Sequence, residues 1–412
     1  MKKLFLVQLV LVLGLCAQTN RLEAVFDAAH ANSPDFRELL AKGRNLKNGT
    51  ALVWGQDFLF AVETEKQPSI AIDGLAPAPM SRIADSNIWY RLVKMRTGVT
   101  HAYEFHAEGK ALFPRSDIAG YNPDSYAKPG VPKGTVSEKK TIASKIYAGS
   151  TADYWVYASP GVDPSRPAPL MVWQDGQGLV GEFSAMRLLT VTENLVQQKL
   201  IPPMIHVMIS PGTGQRMRSI QYDTVSDRFG RYLLEEVLPE VEKTYKLRPD
   251  AYSRGIAGSS SGAICALNVT WYFTDKFSRV HSTVGSYTAL QWHPEEHLDG
   301  GNIYPFRIRR EPKKNIRIWQ SDGTDDIENQ FGSWPAQAIQ LANSLKMKSY
   351  DFHFRFGEAA HNGAQAALDL PESLAWLWRD YDGSKTEQIY EQDPAEREKP
   401  MFRFKITNRD AW

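Results

Sequence analysis

Between Asp153 and Arg379 short apolar runs rich in β-branched and aromatic residues alternate with stretches of helical spacing. That alternation is the tightest constraint on the fold. Parallel neighbours need a crossover, and a helix is the usual one, so the pattern predicts a mostly parallel sheet covered by helices on both faces. The strand-like runs are PLMVWQDG (169–176), IHVMISPG (205–212), VHSTVGSY (280–287), IRIWQSDG (316–323) and YDFHFRFG (350–357). KIYAG (145–149) and DYWVYAS (153–159) read as a hairpin ahead of them. Helices are predicted over 183–200, 228–245, 334–347 and 370–379.

In the middle of this series stands Tyr252 to Trp271, whose Gly258-Ser259-Ser260-Ser261-Gly262 fits G-x-S-x-G in one register, with Ser260 at its centre. A strand leads in and a helix leads out, the setting in which the turn holds a serine hydroxyl clear of the backbone. A serine is a poor nucleophile at neutral pH and needs a base and an orienting acid. Loops past the ends of two later strands offer them: Asp322-Gly323-Thr324-Asp325-Asp326, then Gly357 to Gly363 with His361. The order Ser, Asp, His is that of an α/β-hydrolase. His361 lies beyond its strand and is the better base than His353, which lies inside it. Asp326 stands where the loop has turned away and is the first choice of acid, with Asp325 as runner-up and Asp322 as a turn former. The oxyanion donors expected are the backbone N–H of Ser261 and that of Gln177 in the loop after PLMVWQ.

Other features carry plainer readings. His293-Pro294-Glu295-Glu296-His297 matches H-x-x-E-H, but Pro294 and the lack of a partner ligand segment argue against zinc. No metal or cofactor is expected. Cys265 reads as packing. Arg218, Trp292 and Trp334 are candidate substrate contacts, with solvated surface as the alternative for Arg218 and core packing as the plainer role of the tryptophans.

The chain has 412 residues, enough for two domains. Its 48 basic and 47 acidic residues give no electrostatic case for a nucleic-acid partner. Lys2 and Lys3 precede an apolar run from Leu4 to Leu15, so 1–17 reads as an export signal to the periplasm or exterior. Anchoring as a lipoprotein at Cys16 is disfavoured by Leu15, where a small residue is normal. No later segment is long and apolar enough to span a membrane. The expected organisation is a helical lead-in (18–45), a small β-sandwich (46–133), the α/β domain (139–381) and a polar tail (382–412) with a strand-like run at Phe402 to Ile406. Phe113 to Lys133 is rich in Pro, Gly, Asp and Tyr and reads as a boundary or lid-like loop.

PLMVWQDGQG, ISPGTG, RSIQYDTVSDRFGRYLLEEVLPEVEK, GIAGSSSGAICALNVTW, FSRVHSTVGSY, SDGTDDIEN, HNG and LPESLAWLW together resemble the enterochelin-esterase and esterase D-like branch of the α/β-hydrolases, over about Lys139 to Tyr381. Feruloyl and acetylxylan carbohydrate esterases are relatives. The resemblance implies Ser260 as nucleophile, His361 as base and Asp326 as acid, and an ester of a sugar or small molecule as substrate. Feruloylated or acetylated sugars come first, and a siderophore ester is the alternative. Gln221 stands where relatives often have Glu, which bears on substrate contacts. The β-rich front resembles the immunoglobulin-like domains that precede such esterases. An exported glycan-binding protein with an inactive hydrolase domain is the rival from another class.

Overall fold

The structure is a computed structural model that describes residues 21–181 and 184–403. The expected leader lies outside the described residues, as do 404–406 of the late strand-like run. Contacts divide the chain into two compact units, Met1–Ile70 with Pro77–Met95 and Phe105–Phe113, and Ala71–Ala76 with Arg96–Glu104 and Pro114–Trp412.

In the first unit an antiparallel sheet runs in the order Thr50–Trp54, Asp57–Glu63, Ile88–Lys94, Ser81–Arg82. Trp54 pairs with Asp57, which leaves a two-residue turn, and Gly55 supplies the positive φ of 59° that such a tight reversal requires. The strand Asp57–Glu63 is buried from Phe58 to Val62. Leu59 and Ala61 share a core with Val25, Phe26, Phe36 and Leu40 of the helices Arg21–Ala31 and Phe36–Ala41. Alternation across a strand explains why these two residues, two apart, face the helices together.

The second unit holds a nine-stranded sheet. Its path runs Thr135–Val136, Thr151–Ala158, Ile205–Ile209, Leu170–Gln174, Arg254–Ser259, Arg279–Thr283, Arg317–Asp325, Asp351–Ala360, with Lys140–Ala143 also paired to Thr151–Ala158. Pairing is parallel from Ile205–Ile209 onward and antiparallel at the Thr151–Ala158 end. The two faces of the sheet feed separate cores. Val156, Val172, Val207, Ile256, Val280 and Ile318 pack with residues of the helices Ser261–Tyr272 and Trp334–Met347. Tyr157, Met171, Trp173, Met208, Ala257 and Trp319 pack with Leu188–Gln197 and Ala364–Leu377. Central strands buried on both faces are why these runs read as continuously apolar.

Three local expectations are corrected. The segment 145–149 is a turn, and the hairpin arm is Lys140–Ala143. The helix expected over 228–245 is α-helical at Arg228–Tyr232 and Leu238–Glu242 but widens to a π turn at Leu233–Val237. Pro239 lacks an N–H and its ring crowds the carbonyl four residues back, at Glu235, so the turn ahead of it opens. Phe402 belongs to no strand. Its backbone N–H and C=O pair with the amide of Asn343, and its ring packs on Phe352 and Phe354.

Candidate active site

Every element of the site belongs to the second unit and projects from the carboxyl end of the parallel strands, where loops meet. Strand Arg254–Ser259 ends at Ser260 and the helix Ser261–Tyr272 begins at once. The turn fits only because Gly258 and Gly262 have no side chain. A Cβ on Gly258 would lie 2.2 Å from the carbonyl of Gly262, and one on Gly262 would lie 2.9 Å from Cβ of Gln174. Ser260 takes φ 59° and ψ −122°, a region that side chains resist. Its N–H donates to Thr283 O at 3.0 Å and its carbonyl accepts from Ser286 N–H at 3.1 Å, so the strained residue is held from both sides.

The candidate acid and the candidate base arrive through strand register. Strands Arg317–Asp325 and Asp351–Ala360 run parallel, with Gly323 opposite Gly357, then a shift, then Asp325 opposite Ala360. A bulge re-aims the residues beyond it. Gly323 is needed there, because a Cβ would sit 2.1 Å from Ala359 N. The next residue on each strand is Asp326 and His361, which therefore emerge side by side. His361 Nδ1 lies 2.5 Å from Asp326 Oδ1, and His361 Nε2 lies 2.8 Å from Ser260 Oγ. A carboxylate can only accept, so Nδ1 carries the proton and Nε2 is left to accept from the serine hydroxyl.

A family model described as Putative esterase matches residues 152–376, more than half of the chain. The chain belongs to this esterase family. Among solved structures, the enterobactin esterase FES from Shigella flexneri with 2,3-di-hydroxy-N-benzoyl-serine is similar at a TM-score of 0.57 and 17% identity, over 81% of this chain and 96% of that one. The ferric enterobactin esterase from Salmonella typhimurium is similar at 0.53 and 17%, over 83% and 98%. A feruloyl esterase module from Clostridium thermocellum matches at 0.48 and 17%, over 65% and 97%.

Around the three residues the esterase builds supports that the sequence did not reveal. Ser286, fully buried, brings its Oγ to 3.2 Å from Ser260 Oγ and accepts from Trp334 Nε1 at 3.2 Å. Ala360 N–H donates to Asp117 at 3.0 Å, and Asn362 reaches Ser116 Oγ and Asp117 O, so the strand Ser116–Ala119 braces the His361 loop. That strand lies inside the stretch read from sequence as a loop. Asp322 is a turn former, accepting from Gly323 N–H at 2.8 Å, and more besides. Burial and the Asp326 carboxylate push its carboxyl well up. The Oδ2 atoms of Asp322 and Asp326 are both buried and have no other partner, so a proton retained on Asp322 would serve both.

The remaining candidates fall on either side. Asp325 turns away from His361 and pairs with Arg115 at 2.5 Å. His353 stacks on Trp319 at 4.2 Å. His206 and His281 are buried and neutral, pushed down to about 3 and about 4 by desolvation. Gln177 is exposed in the short turn Gly176–Gly178, whose hydrogen bonds are made by the N–H groups of Gly178 and Leu179. Ser261 opens its helix, where the first N–H groups have no partner within the helix. Arg218 is committed to Asp175 through two bonds of 2.8 Å, and this ion pair pins the Gln177 loop. Trp334 is buried, its ring edge-on to His361 at 5.8 Å, whereas Trp292 is 52% exposed. Gln221 is buried and accepts from Gly212 N–H at 2.8 Å, holding the ISPG loop. Residues 293–297 form one 3-10 turn with His297 at φ 56°, so the two histidines do not share a helix face. Among the described residues no helix is long and apolar enough to cross a membrane.

Proposed function

We propose that this esterase is a serine carboxylic-ester hydrolase working through an acyl-enzyme, with Ser260 as nucleophile, His361 as general base and acid, and Asp326 as the carboxylate that orients and balances the imidazolium. The observation that carries the proposal is the unbroken chain from Ser260 Oγ to His361 Nε2 at 2.8 Å and from His361 Nδ1 to Asp326 Oδ1 at 2.5 Å. As Oγ attacks the ester carbonyl, its proton passes to Nε2 and the charge on the ring is met by Asp326. The carbonyl oxygen becomes an oxyanion, for which the N–H groups of Ser261 and Gln177 are the proposed donors. His361 then returns the proton to the leaving alcohol. Water repeats the sequence on the acyl-enzyme and releases the acid. Every step uses groups of this chain, so no cofactor is invoked.

For the substrate we propose an ester of a sugar or other small alcohol, with feruloylated or acetylated carbohydrate as the first reading. A siderophore ester is the second. What favours it is the likeness to the Shigella flexneri enterobactin esterase, which runs over 96% of that chain. Export forms part of the proposal through Lys2, Lys3 and the apolar run behind them, and an immunoglobulin-like front domain through the antiparallel sheet of the first unit. The mechanism is tested by fluorophosphonate labelling of wild type and Ser260→Ala. Labelling of the first alone is expected, while no labelling of wild type would leave the inactive glycan-binding reading standing. Comparing kcat/KM for p-nitrophenyl acetate, methyl ferulate, acetylated xylan and enterobactin then ranks the substrates.

A further inference from the structure

Ser286 and Trp334 take no part in the mechanism proposed for the triad, yet Ser286 touches the central hydroxyl of the site and Trp334 touches Ser286. Ser286 lies just past the strand Arg279–Thr283, is fully buried, and has its Oγ 3.2 Å from Ser260 Oγ. Trp334 opens the helix Trp334–Met347 and is 2% exposed. Its Nε1 lies 3.2 Å from Ser286 Oγ.

The direction of each bond is dictated by what the groups can do. An indole N–H is a donor only, so Ser286 Oγ accepts from Trp334. The proton on Nδ1 of His361 belongs to the bond with Asp326, so Ser260 must spend its own proton on Nε2. The contact between the two serines can then run one way: Ser286 O–H donates and Ser260 Oγ accepts. A single polarity results, Trp334 to Ser286 to Ser260 to His361 to Asp326.

We infer that Ser286 is a positioning residue for the nucleophile, donating a hydrogen bond to Ser260 Oγ under the direction of the Trp334 indole. This rests on the serine-esterase mechanism proposed for Ser260. One lone pair of Ser260 Oγ is held by Ser286 and its proton by His361, which fixes the rotamer and leaves the second lone pair free for attack. As Oγ loses its proton it gains negative charge, and a donor already in place and shielded from water stabilises that charge more than it stabilises the neutral hydroxyl. The same donor aids departure of Oγ when the acyl-enzyme breaks down, because the atom again carries charge in that step. Ser286 touches no part of the substrate in this account, so its removal should lower kcat and leave KM alone.

The test compares Ser286→Ala, Ser286→Thr and Ser260→Ala with wild type, by p-nitrophenyl acetate hydrolysis and by the second-order rate of fluorophosphonate labelling. Losing one buried donor to a reacting oxygen predicts a fall of about tenfold in kcat and in labelling rate for Ser286→Ala, with KM changed by less than about twofold. Ser286→Thr keeps a hydroxyl and should recover most of the rate. Wild-type labelling and kcat in Ser286→Ala would overturn the inference. So would a Thr variant as slow as Ala with an unchanged thermal midpoint. Full activity in Ser260→Ala would instead overturn the underlying mechanism, so the two failures are distinct.

Discussion

Asp326 Oδ1 lies 2.5 Å from Nδ1 of His361, although its sequence neighbour Asp325 faces the other way, onto Arg115. The bulge at Gly323 to Asp325 is what separates them. Asp326→Asn keeps the shape but removes the acceptor charge that selects the productive imidazole tautomer, so kcat should fall about 10³- to 10⁴-fold. Asp325→Asn loses one ion pair at the surface and should stay within about twofold on the small-pair scale. Steady-state hydrolysis of p-nitrophenyl acetate by both variants separates them, and the reverse ranking would reassign the acid.

Asp322 supplies a contrast between isostere and truncation. Asp322→Asn can still accept from Gly323 and donate to Asp326, so folding and activity should be close to wild type. Asp322→Leu leaves Asp326 Oδ2 buried with no partner and should cost about 1–3 kcal/mol in urea unfolding. Equal stabilities for the two variants would contradict the protonated role.

The strain at Ser260 predicts a stability order among variants that lack its hydroxyl. Ser260→Ala and Ser260→Gly lose the same hydroxyl, but only glycine accepts φ 59° and ψ −122° without cost. Relief of about 1–3 kcal/mol outweighs the greater freedom of an unfolded glycine, worth about 0.4–1 kcal/mol. Thermal unfolding should find the glycine variant the more stable by about 1 kcal/mol on those figures.

The two glycines of the turn should differ in tolerance. Gly258→Ala meets backbone atoms at 2.2 Å, which cannot move without breaking the turn, whereas Gly262→Ala meets a side-chain carbon at 2.9 Å. Overpacking of the second kind costs about 1–3 kcal/mol, and the first should exceed it. Denaturation midpoints of the two alanine variants give the comparison.

Asp223 gives the folded state a pH dependence of definite sign. Its carboxyl accepts from Ser219 at 2.7 Å and from Ser261, but burial outweighs both and lifts it from 3.8 to about 6. The folded protein therefore holds a proton that the unfolded chain has already released. The stabilisation is complete below 3.8, declines as pH rises, and is gone above about 6. Two pH units of difference correspond to about 3 kcal/mol. Asp223→Asn has no such component, so the urea-unfolding free energy of wild type relative to it should fall by that amount from pH 4 to pH 7. Parallel pH curves would show that Asp223 does not titrate in this way.

Much of this esterase is written locally. A parallel α/β sheet is implied by alternating strand and helix periods, and Ser260 by two glycines around a serine between a strand and a helix, because backbone preference and steric demand act over a few neighbours. The chain order of Ser260, Asp326 and His361 is legible for the same reason: each stands just past a strand end. Features set by contacts between distant segments are not legible in this way. The bulge that turns Asp326 rather than Asp325 toward His361 depends on register with another strand. Ser286 read only as the end of a strand, and Asp117 as part of a loop, because their partners lie 26 and 243 positions away. Arg218 has the sequence context of a free surface cation, yet the fold sets Asp175 beside it. Sequence determined which residues stand at strand ends. Only the folded sheet decided which atoms meet there, since hydrogen-bond direction and burial are properties of neighbours in space.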